Sequence, residues 1–285
     1  SPEHRSILAE GIDPAGIHAF LDAAAAQKLE LHSFILMRHG RIAAEGWWAP
    51  YRNDLRHTLY SLSKSFTSTA IGLLAGEGKL SVEDKVISFF PGLLPEKVSD
   101  HLAAVRVKDL LTMSVGHATD PTFEMIKGGN WLKAFLAWPV EHAPGSHFVY
   151  NSGATYTLSA IVQKLSGKSV LDFLLPRLFA PLGIEGATWE TCPLGICTGG
   201  WGLSVPTSAL AKFAQLYLQK GTWNGHQVIP AAWIAEASSK QVQQPLPEKP
   251  ARANESNDWL QGYGYQFWRC RHGAFRGDGA FGQLA

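Results

Sequence analysis

The segment Tyr60-Ser61-Leu62-Ser63-Lys64-Ser65-Phe66-Thr67 decides how the rest of the chain is interpreted. It holds the only Ser-x-x-Lys of the sequence and lies where extended sequence gives way to a helical pattern. At this spacing on a helix, Lys64 can reach the hydroxyl of Ser61. Burial would lower the pKa of Lys64, and the neutral amine could then act as the base that serine needs to become a nucleophile. The alternative without catalysis is a serine that caps the helix, followed by a solvent-exposed lysine.

Composition indicates a folded protein with a large core. The chain has 285 residues, 46% of them hydrophobic, which fits one large domain or two intertwined subdomains. Its 25 basic and 24 acidic residues balance to +1 without long runs of either sign, so we expect neither a nucleic-acid partner nor an anionic membrane surface. No apolar run is long enough to span a bilayer. Residues 1–5 do not resemble a secretory signal, but a removed signal would leave no trace; the compartment stays open, with the cytoplasm slightly favoured.

The sequence predicts neither a metal nor an organic cofactor. The sequence has three cysteines, Cys192, Cys197 and Cys270, and an odd number does not indicate a disulfide framework. The Cys192–Cys197 pair has no second pair at metal-ligand spacing, so ordinary thiols are favoured over a zinc site. His117 and Asp120 could share a metal, although packing or surface roles are favoured. His-Glu-x-x-His, Gly-x-Ser-x-Gly, P-loop and dinucleotide-binding motifs are all missing from the sequence.

The order of predicted elements indicates an α+β fold, an antiparallel sheet flanked by helices with a large, mostly helical subdomain inserted. Predicted elements are an opening helix from Asp13 to about Lys28, a hairpin of Leu31–Met37 and Arg41–Trp48, the Ser61 helix ending near Gly76, mostly helical sequence to about Gly199, a loop over Gln241–Asn257, a strand over Tyr263–Cys270 and a further strand from Ala274. We expect residues 1–60 and 200–285 to form the sheet subdomain, residues 61–199 the helical one, and the active site to lie between them.

Two later segments support a chemical role for Ser61. Tyr150 and Ser152 lie two residues apart in a predicted loop, and a phenol near a lysine ammonium can pass protons; the alternative is a tyrosine packed under a turn. Gly277-Asp278-Gly279-Ala280-Phe281-Gly282 is a strand with few side chains on one face. Glycine in a strand is often tolerated because a ligand or another backbone approaches closely.

With these motifs in order, nearly the whole chain resembles the serine β-lactamase and penicillin-binding-protein superfamily. The similarity is to its class C β-lactamase-like branch, which includes family VIII carboxylesterases and D-amino-acid peptidases. Ser61-x-x-Lys64 matches the first motif, Tyr150-x-Ser152 the second, and Gly277-Asp278-Gly279 stands at the third. Supporting phrases are Val107-Lys108-Asp109-Leu110-Leu111-Thr112-Met113-Ser114-Val115-Gly116-His117, Ala180-Pro181-Leu182-Gly183-Ile184 and Gly199-Gly200-Trp201-Gly202-Leu203.

The resemblance implies a serine hydrolase that needs no metal or organic cofactor. Ser61 would be the acylated nucleophile, and Lys64 either its base or the partner that keeps Tyr150 anionic. Tyr150 would deliver a proton to the leaving group, and Ser152 would orient Lys64 and substrate. The backbone N–H groups of Ser61 and Ala280 would bind the oxyanion.

The third motif departs from the family pattern. Gly277 replaces the usual Lys or His, and Asp278 replaces the usual Thr. Asp278 would repel the carboxylate of a β-lactam, whereas Arg276 should point to the opposite face of the strand from Gly277. We therefore expect a small ester or amide substrate and weak β-lactamase activity at most. The alternative is a catalytically silent binding or sensor domain for cell-wall-like peptides.

The resemblance also raises an expectation about the C-terminus. Members of the superfamily continue beyond the third motif with further strand and a helix that packs on the sheet, whereas this chain stops at Ala285. An uncovered strand edge and apolar face would be costly. We expect the sequence to be a fragment or the face to be covered by another subunit, so that self-association is left open.

Overall fold

The computed structural model describes residues 6–247 and 255–285, so residues 1–5 and the middle of the loop predicted over 241–257 lie outside it. The α-helices of the described ranges are α1 Pro14–Ala26, α2 Ser63–Gly76, α3 Asp100–Ala104, α4 Val107–Leu111, α5 Thr122–Met125, α6 Trp131–Ala137, α7 Ser152–Ser166, α8 Val170–Leu174, α9 Thr207–Leu218 and α10 Ala231–Ala237. Short 3-10 helices cover Tyr60–Leu62, Val86–Phe89, Pro91–Leu93 and Arg271–Gly273, and a π-helical turn covers Leu175–Phe179. In this part of the chain no helix is long and apolar enough to cross a membrane.

Short antiparallel ladders accompany the helices, which confirms the predicted α+β class. The strands are β1 Ser33–Arg38, β2 Arg41–Trp47, β3 Arg56–Thr58, β4 Thr188–Trp189, β5 Leu203–Pro206, β6 Thr222–Trp223, β7 His226–Gln227, β8 Trp268–Arg269, β9 Phe275–Arg276, β10 Asp278–Gly279 and β11 Gln283–Leu284. Strands β1 and β2 form the expected hairpin, and β5 lies between β3 and β4. Strand β4 comes from within the predicted helical range and pairs with β5 from outside it; the division into subdomains stays a prediction.

Helix α2 is the central element of the core. All its residues from Ser63 to Leu74 are buried, so this helix is surrounded by protein, mainly α7, α8 and α10. Polar side chains on a helix that is surrounded by protein need hydrogen-bond partners within the protein, because water cannot reach them. Four of its five hydroxyls bond to neighbouring segments, namely Ser63 with Leu203 N (3.1 Å), Ser65 with Gln266 O (2.8 Å), Thr67 with Gly199 O (2.8 Å) and Thr69 with Tyr217 Oη (2.8 Å), whereas Ser68 Oγ is buried without a partner among the described residues.

Two predicted boundaries are wrong, and each has a local cause. Ser61 was expected in the first turn of the α-helix, but it lies in the 3-10 turn Tyr60–Leu62, and α2 begins two residues later. The strand predicted over Tyr263–Cys270 is limited to β8. Gln266 interrupts it with a left-handed backbone at φ 67°, because its main chain and side chain turn inward to bond α2, α4 and α7.

Gln266 is a buried connector between three helices. Its side-chain oxygen accepts from Thr155 Oγ1 of α7 at 2.7 Å, and its amide nitrogen donates to Leu111 O of α4 at 2.7 Å. Its own carbonyl accepts from Ser65 Oγ of α2 at 2.8 Å. These contacts hold the segment before β8 against the helices that carry the candidate site.

Replacing Gln266 with alanine should destabilise the protein markedly. We expect Gln266→Ala to lower the free energy of unfolding by about 3 kcal/mol, because buried polar groups left without partners cost about 1–3 kcal/mol each. The exposed Gln27 gives the control: Gln27→Ala should change stability by less than about 0.5 kcal/mol. Urea denaturation followed by circular dichroism measures both, and equal losses would contradict the connector role.

Candidate active site

Ser61 is presented by a strained turn at the start of α2. The preceding residue, Tyr60, has φ 48°, a left-handed conformation that non-glycine residues adopt rarely. Such conformations persist where surrounding contacts fix them, and they concentrate at functional sites. Here Leu59 donates its N–H to Leu203 O at 2.8 Å, and Tyr60 packs edge-on against Phe281. The turn is thereby tied to β5 on one side and to the β10–β11 connection on the other.

Lys64 is buried beneath Ser61 and surrounded by oxygen atoms. Its side-chain nitrogen Nζ lies 3.0 Å from Ser61 Oγ, 2.9 Å from Ser152 Oγ and 2.8 Å from the carbonyl oxygen of Gly200. The residue is only 1% exposed. Burial lowers the pKa of Lys64 from 10.5 to about 7, while the negative charge of Asp120 opposes that shift. Lys64 can therefore exchange its proton near neutral pH.

The three contacts of Lys64 constrain where a proton sits. An ammonium can donate to all three oxygens, but a neutral amine has two N–H donors and one lone pair. The carbonyl of Gly200 can only accept, so in the neutral state one of the two hydroxyls must donate to Nζ. When that hydroxyl belongs to Ser61, the hydrogen bond already points the serine proton at its base.

Tyr150 lies beside Ser61 and Lys64, with the face of its ring toward Lys64. Nζ of Lys64 sits over the face of the ring, 4.8 Å from its centroid, and Trp268 stacks against the ring at 5.7 Å. Burial raises the pKa of Tyr150 well above its usual value, although a hydrogen bond to Ser61 opposes that shift. The raised pKa favours a neutral phenol at pH 7, which supports the first of the two alternatives for Lys64, that of a base. Of the two groups, Lys64 is the better candidate base.

Ser152 reaches Lys64 because α7 begins there. The preceding residue, Asn151, is the N-cap, and its Oδ1 accepts from Ala154 N at 2.9 Å. Gly200 approaches from another segment so closely that a Cβ on it would lie 2.9 Å from Ser152 O. The lack of a side chain at Gly200 permits this close approach. Sequence reasoning missed Gly200; paired glycines before Trp201 were the available signal.

The glycines of the third motif lie against the Ser61 turn. A Cβ on Gly279 would come 2.2 Å from Leu59 O, and one on Gly277 would lie 3.1 Å from both Leu62 Cγ and Ser65 Oγ. The absence of side chains thus lets β10 pack on the backbone that holds Ser61. Ala280 follows directly and is exposed. Its role as an oxyanion donor with Ser61 stays a prediction.

Asp278 is not a free negative charge. Its Oδ2 lies 2.8 Å from Nε of Arg276, two residues away on the same face of the strand, and both side chains are largely buried. The guanidinium of Arg276 also stacks over Trp259 at 4.5 Å. The expected repulsion of carboxylates by Asp278 is therefore weakened by its own ion pair. Asp120, which sequence reasoning did not place at the site, is the carboxylate whose field acts on both Lys64 and Tyr150.

The shared metal considered for His117 and Asp120 has no support in the structure. Residues 6–247 and 255–285 contain no group of three or more His, Cys, Asp or Glu side chains placed to hold a metal ion. His117 instead contacts Asn151, and Asp120 Oδ1 accepts from the backbone N–H of Thr122 at 3.0 Å. His117 thereby borders the Tyr150–Ser152 segment, whereas Asp120 contacts Thr122, whose Oγ1 in turn accepts from Gly153 N at 2.8 Å.

Comparison with known proteins places this geometry in context. The family described as beta-lactamase matches residues 21–285. The 6-aminohexanoate-dimer hydrolase of Paenarthrobacter ureafaciens is 26% identical over 219 residues, which cover 71% of this chain and 55% of that protein. The D-aminopeptidase of Brucella anthropi is 28% identical over 162 residues, covering 53% of this chain and 30% of that protein. The chain thus spans about half the length of the first relative and less than a third of the second.

A solved structure shows the same fold. The octameric penicillin-binding protein homologue from Pyrococcus abyssi superposes with a TM-score of 0.70 and 21% identity, covering 95% of this chain and 69% of that one. At this identity the likeness concerns the fold alone.

The lowered pKa of Lys64 gives a pH-dependent prediction. Acylation of Ser61 by a fluorophosphonate should speed up from pH 5 to pH 9 with an inflection near pH 7, because only the neutral amine of Lys64, which predominates above its pKa of about 7, can accept a proton. Lys64→Arg, which stays charged throughout this range, should remove most of the reaction. Rapid-quench mass spectrometry measures the rates. A rate that does not vary with pH would contradict the assignment of Lys64 as base.

Proposed function

The chain belongs to the beta-lactamase family, and we propose that it is a serine hydrolase that cleaves small esters or amides through an acyl intermediate on Ser61. The observation that carries this proposal is the buried contact of 3.0 Å between Lys64 Nζ and Ser61 Oγ, with the pKa of Lys64 lowered to about 7. An unactivated serine needs such a base.

In the proposed mechanism Lys64 takes the proton of Ser61 as its oxygen attacks the substrate carbonyl. The backbone N–H groups of Ser61 and Ala280 receive the oxyanion, each donor contributing about 3 kcal/mol of transition-state stabilisation. Tyr150, neutral and adjacent to Ser61, passes a proton to the departing alcohol or amine and regains it from Lys64. Ser152 and Gly200 keep Lys64 in place throughout. Water then attacks the acyl ester, and the proton transfers run in reverse to release Ser61.

The charges near the site favour a substrate that carries no carboxylate. Gly277 supplies no cation where the family has Lys or His, and Arg276 is already paired with Asp278. The negative charge of Asp120 acts on Lys64 and Tyr150 as well. A neutral ester or amide, or one bearing an ammonium group, is consistent with this arrangement. The names of the aminohexanoate-dimer hydrolase and the D-aminopeptidase point to amine-bearing amides as a substrate class, and a linear dimer of aminohexanoate also ends in a carboxylate, so these names support the amine and not the exclusion of anionic groups.

The arrangement of the site also fits the proposed pair of subdomains. Ser61, Lys64, Tyr150 and Ser152 come from the range 61–199, whereas Gly200 and the strand Gly277–Ala280 come from the other part of the chain. Substrate would enter between these two sets. Self-association remains a proposal, supported by the octameric homologue from Pyrococcus abyssi.

Covalent labelling tests the proposed nucleophile. After incubation with a fluorophosphonate, the parent protein should gain the mass of one adduct, while Ser61→Ala should gain none because it lacks the proposed nucleophile. Ser63 provides a matched control, because it is buried two residues away at the start of α2 and its hydroxyl accepts from Leu203 N; Ser63→Ala should still be labelled at Ser61. A folded parent without adduct would favour the alternative of a silent binding domain for cell-wall-like peptides.

Substrate charge gives a second test. We expect p-nitrophenyl butyrate to be hydrolysed at least 100-fold faster than a chromogenic cephalosporin, because Gly277 offers the cephalosporin carboxylate no cation and Arg276 is paired with Asp278. Asp120→Asn should narrow that ratio by about threefold, since a partly solvated charge contributes less than about 1 kcal/mol. The ratio of kcat/KM values is the measurement. Faster turnover of the cephalosporin would show that the charge argument is wrong.

A further inference from the structure

A buried histidine touches the segment that carries two of the proposed site residues. His117 is 1% exposed, and its Nδ1 lies 2.9 Å from Nδ2 of Asn151. Asn151 stands between Tyr150 and Ser152. The imidazole also packs edge-on against Phe135 of α6, with ring centroids 5.1 Å apart. His117 therefore bonds directly to the residue that separates the two side chains flanking Lys64.

The hydrogen-bond pattern fixes the protonation of His117. Oδ1 of Asn151 accepts from the N–H of Ala154, so the other end of the amide, Nδ2, is a donor. Nδ1 of His117 must then be an acceptor, which leaves the ring proton on Nε2. Burial supports this assignment, since it lowers the pKa of His117 to about 4 and keeps the ring neutral at pH 7.

Residues 113–117 also hold the Tyr150–Ser152 segment through contacts to its backbone. Val149 N donates to Met113 O at 2.9 Å, and Asn151 N contacts Met113 Sδ at 3.2 Å. Met113 itself has a left-handed backbone with φ 58°. Residues 113–117 thus fix both sides of Tyr150. The Asn151 amide is held at its oxygen by Ala154 N and at its nitrogen by His117, so His117 supplies the contact to Nδ2.

We propose that His117 is a positioning residue for the hydrolase reaction: its unprotonated Nδ1 orients the Asn151 amide, which caps α7 and thereby places Tyr150 and Ser152 around Lys64. This inference rests on the proposed function, because it takes Tyr150 and Ser152 to serve Ser61 and Lys64. A displacement of α7 or of its cap would lengthen the 2.9 Å contact between Ser152 and Lys64. The expected consequence is slower acylation rather than weaker substrate binding.

Two substitutions of similar size separate positioning from simple packing. His117→Asn carries a side-chain oxygen where Nδ1 stood, so it can still accept from Asn151, whereas His117→Leu fills the space without an acceptor. We expect His117→Asn to retain at least a third of the parent rate of Ser61 labelling by a fluorophosphonate. His117→Leu should lose at least tenfold in labelling rate and in kcat for p-nitrophenyl butyrate, with KM changed less than threefold. Circular dichroism establishes that each variant is folded.

The tautomer provides a readout independent of catalysis. In protein labelled with ¹⁵N-histidine, the long-range ¹H–¹⁵N spectrum at pH 7 should show His117 with Nδ1 unprotonated and the proton on Nε2; the signal is identified by its loss in His117→Asn. A protonated Nδ1 would overturn the inference. So would a folded His117→Leu that labels at the parent rate.

The outcomes keep this inference apart from the proposed function. A parent protein that is not labelled at all counts against the hydrolase itself, whereas a labelled parent with an equally reactive His117→Leu counts only against the positioning role. Should His117→Leu fail to fold, His117→Gln replaces it, because its amide reaches the place of Nε2 rather than Nδ1. It should then show the same loss of rate, and a parent-like rate would again overturn the inference.

Discussion

The burial of Lys64 among three oxygen atoms is the constraint on which the site depends. Removing an ammonium from water costs several kcal/mol unless charges or hydrogen bonds compensate. Here Ser61, Ser152 and the carbonyl of Gly200 offer the compensation, and the residual cost appears as a pKa lowered to about 7. The same burial that is unfavourable for folding makes the lysine able to give up its proton at neutral pH. Stability and reactivity are thus linked through one side chain.

The packing around Lys64 follows from the need to bring three separate segments within hydrogen-bond distance. Helix α2 carries Lys64 and must be buried throughout, so its hydroxyls bond to neighbouring backbone and side chains. Gly200 and Gly279 lack side chains where backbone meets backbone, and a Cβ at either position would collide with it. Gln266 ties the last part of the chain to these helices. The glycines therefore matter for close approach more than for flexibility.

The electrostatic character of the site comes from pairing as much as from residue type. Arg276 and Asp278 largely cancel one another across 2.8 Å, so neither presents a free charge to an incoming carboxylate. Tyr150 is kept neutral by burial, and His117 by its own burial in contact with Asn151. What remains at neutral pH is a lysine near its pKa and the negative field of carboxylates: Asp120 acts on Lys64, and both Asp278 and Asp120 act on Tyr150. An environment of this kind suits acyl transfer from a substrate without an anionic group.

The sequence by itself determined the fold class and the helix that carries Ser61 and Lys64, because their separation of three residues and the apolar periodicity are local properties. The glycines of the third motif indicated a close approach by a ligand or another backbone. The order of the motifs identified Tyr150 and Ser152 as candidate site residues. Only the tertiary structure decided that Gly200 bonds Lys64, that Gln266 breaks the predicted strand, that Arg276 neutralises Asp278 and that His117 holds Asn151. Most of these contacts join residues far apart in the chain, and burial then sets the pKa of each group. Neither the distance between remote segments nor the loss of water around a side chain can be obtained from local spacing.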